Sequence, residues 1–372
     1  MSSRFSHHGV VAWLQVVGVA GVAAVAGCAH ISENAASSNA PPSVGSNPLY
    51  SLASSSVRST STIYEATTVS FALDRIDQRT LPLDRTYRHG ATGKGVTVYV
   101  FDGGISTTHP ELAGRVRVGY SGFPNDPKIC NPHGTAVAGA IAGSTLGVAP
   151  DAEIVDVKMV QCEKLRGTIA AIVEGTHWAI EDHKQHPGPA IANWSFIADT
   201  ASHVAALDSA VDELRDAGIP VIVSAGNVEI DACRVSPANA KGAIVVGASG
   251  VEQVKLREGE FETVDRRSPG TAFGPCIDLY APGDSVLLPS LDRDQAPISQ
   301  LWNGTSMAAG FVSGAAALYL ETHPRATPDA VTAELERTAT VNVVRDTHST
   351  FSRMLYVGTS PQPVMTRVAS RR

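Results

Sequence analysis

Four polar residues in this chain stand in contexts that suit acyl-transfer chemistry. Ser306 lies in "NGTSMAAGFVSGAAALYL", between a Gly-Thr pair and a run of small apolar residues that reads as a buried helix. A hydroxyl there can serve as an N-cap, satisfying free N–H groups of the first turn. It can equally be a nucleophile, because a helix N-terminus offers partial positive charge and open donors to a reacting oxygen. A serine nucleophile needs a base to take its proton, a carboxylate to orient that base, and donors where the oxyanion forms. His133, at the start of "HGTAVAGAIAG", and Asp102, at the end of "VTVYVFD", are of the right types for the first two. The Asn227 side-chain amide, at the end of "PVIVSAGN", and the Ser306 backbone N–H can supply the donors. Taken singly, each residue is more often structural: a strand-end Asp caps a turn, and an Asn after Ala-Gly makes one.

The elements that must position these residues are short β-rich runs alternating with longer amphipathic ones. "VTVYVFD", "AEIVDVKMV", "AIANWSF", "PVIVSAGN", "AIVVGAS" and "IDLYAPG" have the length and branched content of strands buried on both faces. Between them, Thr168 to His183 places Ile169, Ile172, Val173 and Ile180 on one side of a helix, and Val204, Leu207, Val211 and Leu214 do the same in the next. This alternation predicts a single α/β domain with a mainly parallel sheet covered on both faces. Ligands of such sheets bind beyond the carboxyl ends of the strands. Asp102, His133, Asn227 and Ser306 are all predicted at that rim.

The chain has 372 residues, 43% hydrophobic and 17% charged, with net charge −7 and no bunching of basic residues. Nucleic acid is therefore not an expected partner. Residues 1–28 carry one basic residue, Arg4, then an uncharged run from Gly9 to Cys28, the form of an export signal. Residues 29–68, rich in Ser, Ala, Asn and Pro, read as a linker or short pro-region that cannot bury enough surface to fold. Residues 69–360 form the predicted folded domain and 361–372 a tail, with a monomer expected. Setting Cys28 aside, four cysteines remain, Cys130, Cys162, Cys233 and Cys276, and an even count in an exported chain favours two bridges among three pairings over four reduced thiols.

In chain order Asp, His, Ser, the segments "VYVFDGGI", "HGTAVAGAIAG", "SAGN" and "NGTSMAAG" resemble the four signature segments of the subtilisin-like serine proteases. The segment "ALDRIDQRTLPLDRTYRHGATGKGVTVYV" is similar to the mature start of the proteinase K branch. The same order excludes an α/β-hydrolase, which needs Gly-x-Ser-x-Gly and Ser before His. The resemblance implies a three-layer subtilisin-like fold and a serine endopeptidase with Asp102, His133 and Ser306 as triad and Asn227 in the oxyanion hole. It implies Ser195, Phe196, Ile197, Ser224, Ala225 and Gly226 as substrate-binding residues and a peptide or protein as substrate. It also implies bridges Cys130–Cys162 and Cys233–Cys276, no cofactor for the chemistry, and structural calcium held with the help of Asp278. The end of the leader, "VAGC", resembles a bacterial lipobox, which implies a lipid on Cys28 and attachment to the cell envelope. A retained transmembrane anchor and ordinary cleavage with secretion are the alternatives, and all three place the protein outside the cytoplasm.

The chain departs from the family pattern in several places. Pro132 replaces the usual Gly before the histidine, and Gly310 and Phe311 replace a Pro and a His after the serine. "NWSFIADTAS" stands where the family has Ser-Leu-Gly-Gly, so side chains replace hydrogen atoms beside the first specificity pocket. A narrower or reshaped pocket is expected. "EKLRG" places Glu163, Lys164 and Arg166 near the groove. Before Phe71 no recognisable version of the family's folded pro-domain is found. The second reading is thus a catalytically weak protease fold that binds peptides or a protein partner through the altered groove.

Overall fold

The computed structural model describes residues 63–126, 129–198 and 203–358 with their side chains, and the backbone of Trp13–Gln15 and Val57–Thr60. Cys28 and the tail 361–372 lie outside the described residues.

Strands β1 (Thr97–Asp102), β2 (Val116–Ser121), β3 (Glu153–Lys158), β4 (Ala190–Trp194), β5 (Val221–Ser224), β6 (Ile244–Arg257), β7 (Glu260–Arg267) and β8 (Leu279–Pro282) build the central sheet. Its parallel part runs in the order β8-β6-β5-β4-β1-β3-β2, and β7 pairs antiparallel with β6 as an arm at one side. Strand order turns back on itself at β1, next to which β3 and β4 lie on opposite sides. That is the switch point where a crevice opens in such sheets.

Each strand feeds two cores because its side chains alternate between faces. Val98 and Val100 of β1 go to one core with Ile154, Ile191, Ile222 and Val246. Tyr99 and Phe101 go to the other with Val155, Val157, Trp194 and Val223. Of the helices α1 (Phe71–Ile76), α2 (His133–Ala142), α3 (Ile169–Gln185), α4 (Ala205–Asp216), α5 (Thr305–Thr322) and α6 (Pro328–Thr338), α2 and α5 pack on the first face and α3 and α4 on the second. The result is the three-layer α/β arrangement that the alternation predicts.

Two expectations are corrected in detail. In α3 the buried side is Ala171, Ile172, Gly175, Thr176, Ala179 and Asp182, while Ile169, Val173 and Ile180 are only half-buried. Small residues let the helix lie close to the sheet, with Gly175 so near Val157 that an added Cβ would sit 3.0 Å from Val157 Cγ1. In α4, by contrast, Leu207, Val211 and Leu214 are buried as the apolar spacing indicates. Paired structure also begins earlier than composition suggests: Val57–Thr60 and Ile63–Thr67, inside the stretch read as linker, pair with each other and with Thr86–His89. The alternation in Ile63–Thr67, half-buried and exposed in turn, is a strand signal that the polar neighbours mask.

One buried ion pair ties the start of the domain to the sheet. Arg75 of α1, 1% exposed, holds Asp265 of β7 through two bonds of 2.7 Å and also donates to Gln78 O at 2.7 Å.

Candidate active site

Asp102 closes β1, 0% exposed, and its Oδ1 accepts the Gly103 N–H at 2.7 Å. Its Oδ2 lies 2.7 Å from His133 Nδ1. With Nδ1–H directed at the carboxylate, Nε2 is left as the acceptor nitrogen of the ring. Among the described residues Nε2 is buried without a hydrogen-bond partner. Gly134 is required for this approach, because a Cβ there would stand 2.7 Å from Gly104 O and 3.0 Å from Asp102 Cβ. Pro132 is accommodated: it is the N-cap of α2 with φ −74°, so its missing N–H falls outside the helix, and Asn131 Oδ1 takes the His133 N–H at 3.0 Å.

Helix α5 brings Ser306 to the same place through its glycines. An added Cβ on Gly310 would lie 2.9 Å from Ala140 Cβ and 3.1 Å from Val137 O, and one on Gly314 would lie 3.0 Å from Ile141 O. The contacts step by four along both helices, so α2 and α5 run side by side in the same direction and the register carries Ser306 opposite His133. Larger residues at these glycines would separate His133 from Ser306. Ser306 Oγ donates to Ser195 O at 3.2 Å and is not bonded to His133 in this conformation.

Asn227 Oδ1 accepts the Thr305 N–H at 2.9 Å and the Thr305 hydroxyl at 3.0 Å. That fixes the roll of the amide, with Oδ1 on Thr305 and Nδ2, a donor, on the side of Gly304. The preceding Gly304 has φ +134°, a region closed to other residues, and a Cβ there would lie 2.9 Å from Asn227 Nδ2. A buried polar chain holds α5 against β4: Asn193 Nδ2 donates to Ser313 Oγ at 2.9 Å, and Ser195 Oγ lies 2.9 Å from Asn193 Oδ1 and 3.1 Å from Ser306 O. Asn193 and Ser313 escape the sequence reading, although an amide inside the apolar run "AIANWSF" is the signal that would find them.

The groove beside Ser306 is a slot for an extended backbone. Trp13–Gln15 pairs antiparallel with Arg166–Thr168 on one side and with Ile197–Ala198 on the other, in the register Gln15 opposite both Arg166 and Ile197. The segment "EKLRG" thus supplies one wall. Phe196, Ile197, Ser224, Ala225 and Ser195 are buried, and Gly226 follows β5 with φ +101°. The bridges are Cys130–Cys162 and Cys233–Cys276. The first anchors the approach to α2, where Cys130 N–H also donates to Gly103 O at 2.9 Å.

A second buried carboxylate stands behind the first. Asp156 of β3 accepts the Ile105 N–H through Oδ2 at 3.1 Å, and its Oδ1 is buried without a hydrogen-bond partner. Burial pushes its carboxyl up to about 7; nearby Asp102 adds to the rise, while the Ile105 bond and Lys158 oppose it. A charged residue within the apolar run "AEIVDVKMV" is the trace it leaves in the sequence.

For a cation, Asp278 offers a single carboxylate, whose Oδ2 also accepts the Val245 N–H at 2.8 Å. Burial pushes its carboxyl up to about 6, with Glu336 adding to the rise. Asp74, Asp77 and Asp84 offer a richer set of oxygens. Asp77 Oδ1 is buried without a hydrogen-bond partner, and burial, together with Asp74 and Asp84, pushes the Asp77 carboxyl up to about 8 against the Arg88 N–H bond. Clustered carboxylates with a spare oxygen fit a hard cation. Asp126, Cys130 and Cys162 also converge, but both sulfurs are in the disulfide. Among the described residues no helix is long and apolar enough to cross a membrane.

Comparison with known proteins agrees with this geometry. The "Subtilase family" (peptidase S8) model matches residues 93–355. The "Extracellular serine proteinase" of Thermus sp. (strain Rt41A) is 40% identical over 279 residues, covering 74% of this chain and 63% of the relative. The "Alkaline serine exoprotease A" of Vibrio alginolyticus is 36% identical over 292 residues, covering 78% and 50%. The chain therefore spans one half to somewhat under two thirds of these relatives' lengths. The crystal structure of "a cold adapted subtilisin-like serine proteinase" superposes with a TM-score of 0.68 at 37% identity, over 79% of this chain and 100% of that one. With the match extending over most of the folded region, the chain belongs to the subtilase family.

Proposed function

We propose that the protein is an exported serine endopeptidase. The observation that carries this reading is the buried Asp102–His133 pair, 2.7 Å apart, with its free Nε2 opposite Ser306 in the register of α2 and α5. A substrate enters as an extended strand between Arg166–Thr168 and Ile197–Ala198, as the chain's own Trp13–Gln15 does, gaining main-chain hydrogen bonds on both sides. Rotation about Cα–Cβ moves Ser306 Oγ from Ser195 O to His133 Nε2, a tightening common when substrate binds. Oγ then bonds to the scissile carbonyl carbon while Nε2 takes its proton, and Asp102 stabilises the imidazolium. The oxyanion receives Asn227 Nδ2 and the Ser306 N–H at the helix start. Collapse expels the amine, which takes the proton from His133, and water repeats the sequence to release the acid.

The chemistry needs no cofactor. Calcium, when bound, adds stability by neutralising carboxylates, with Asp74, Asp77 and Asp84 as the ligands that fit best and Asp278 as the weaker candidate. The leader supports an exported protein, either lipid-anchored at Cys28 or secreted. The Ser306–Ser195 bond, beside the altered strand Ser195–Ala198, favours a binding-only role. Hydrolysis of an unstructured protein such as casein, beside Ser306→Ala, separates the two: activity lost in the variant supports the protease, and equal background in both supports the binder.

A further inference from the structure

The residue that precedes the cut must place its side chain between two chain segments that this structure holds closed. Strands β4 and β5 are parallel neighbours as far as Trp194 opposite Val223. Beyond that point the ladder between them ends and the chains continue as Ser195–Ala198 and Ser224–Asn227, and the fork at the end of a ladder between adjacent parallel strands is the natural crevice of such a sheet. Ser306 Oγ touches Ser195 O on one arm, and the Asn227 amide ends the other. A carbonyl reached by both sits at the mouth of the fork, so the side chain just before it points in.

The fork is filled by the protein itself. A Cβ on Gly226 would meet Ile197 Cγ2 at 3.1 Å, Val235 Cγ1 at 3.4 Å and Val228 Cγ2 at 3.5 Å, so these side chains already lie against the bare face of Gly226. Ile197 is 7% exposed and belongs to the core that continues beneath it. One hydrogen bond joins the arms, Ser224 Oγ donating to Phe196 O at 3.3 Å, and a second ties the end of the first arm to a neighbouring segment, the Ala198 N–H donating to Ser236 O at 2.8 Å. A leucine or phenylalanine side chain would have to displace Ile197 from packed surroundings and break one of these links.

Resting on the endopeptidase reading above, we propose that Ile197 plugs the first specificity crevice and restricts the enzyme to peptides with glycine or alanine before the cut. Ile197 makes the tightest of the three approaches to Gly226, so shortening it opens the most room, with Val235 and Val228 left as the remaining walls.

The test is a set of tetrapeptide anilides differing only in the last residue, Gly, Ala, Leu or Phe, assayed with the full chain and with Ile197→Gly and Ile197→Ala. The expected result is that the unaltered protein cleaves the Gly and Ala peptides at least about 10²-fold better in kcat/KM than the Phe peptide, the scale on which apolar pockets discriminate. Ile197→Gly should raise the Phe and Leu peptides by a similar factor, with Ile197→Ala between. Equal cleavage of Ala and Phe peptides by the unaltered protein overturns the plug, as does a Phe preference that neither variant changes. Reaction with diisopropyl fluorophosphate, which needs no peptide side chain, reports separately on the endopeptidase reading. If no adduct forms, that reading fails and the same peptides as free acids are ranked by calorimetric affinity. Tighter binding of the Ala acid than of the Phe acid, reversed in Ile197→Gly, still supports the plug, and equal affinities overturn it.

Discussion

Replacing Asn227 by alanine separates transition-state stabilisation from substrate binding. Asn227 is not in the slot that pairs with an extended backbone, so a ground-state peptide retains its main-chain partners at Arg166–Thr168 and Ile197–Ala198. On the proposed reading, what is lost is a donor that meets the oxygen only when it carries charge. Loss of one oxyanion-hole donor in a subtilisin costs about 10²–10³ in kcat, or roughly 2.7–4 kcal/mol, and the same loss is expected here because Thr305 fixes the amide through two bonds of 2.9 and 3.0 Å. KM should change by less than about threefold if the donor acts only in the transition state. The variant also strips the acceptor from the Thr305 N–H and hydroxyl, a stability cost of about 1–3 kcal/mol. Steady-state kinetics on an alanine-terminated anilide, with denaturant unfolding alongside, reads both effects. A rise in KM at unchanged kcat would refute the placement of Asn227 at the oxyanion.

Further perturbations read the surrounding structure. Arg75→Met and Asp265→Asn each break the buried pair and should cost about 3–5 kcal/mol in denaturant unfolding. A cost under about 1 kcal/mol in either variant, the scale of an exposed pair, would contradict the buried pairing. Asp156 holds its proton in the folded state up to about 7, against about 4 in the unfolded chain, so its charge costs stability increasingly as pH rises through that window and in full above it. Asp156→Asn should therefore be stabilising by up to about 4 kcal/mol at pH 8 and by much less at pH 5, and a gain independent of pH would refute this. Calcium should raise Tm, more at pH 9 than at pH 7 because the Asp77 carboxyl must ionise, and Asp77→Asn should abolish the increment. An increment lost in Asp278→Asn but kept in Asp77→Asn would move the ion to the other position.

The sheet was legible because its strands are buried on both faces, and the resulting apolar runs, from "VTVYVFD" to "IDLYAPG", admit few other structures. The positions of Asp102 and Asn227 at strand ends, and of His133 and Ser306 at helix starts, follow from that pattern and from the rule for where parallel sheets bind ligands. Packing through small residues was less legible. Ala171, Gly175 and Ala179 bury a helix face that apolar spacing assigns to Ile169, Val173 and Ile180, because hydrophobicity does not report how closely two backbones can approach. The same blindness hides Gly310 and Gly314, whose value lies in what a Cβ would strike. Asp156 and Asp77 escaped for a different reason. A single carboxylate carries no information until the fold reveals which of its oxygens lacks a partner and which other carboxylates it faces. The three-stranded sheet of Val57–Thr60, Ile63–Thr67 and Thr86–His89 was concealed by a polar setting, since a short sheet needs only every second residue to be apolar.

The most direct test is labelling of the full chain with an active-site serine phosphonate, read by intact mass beside Ser306→Ala and His133→Ala. A single adduct on the unaltered protein, absent in Ser306→Ala and slowed at least about a hundredfold in His133→Ala, is the predicted result. No adduct on folded, calcium-supplied protein with both disulfides formed, or an adduct that survives in Ser306→Ala, would contradict an activated nucleophile at the start of α5.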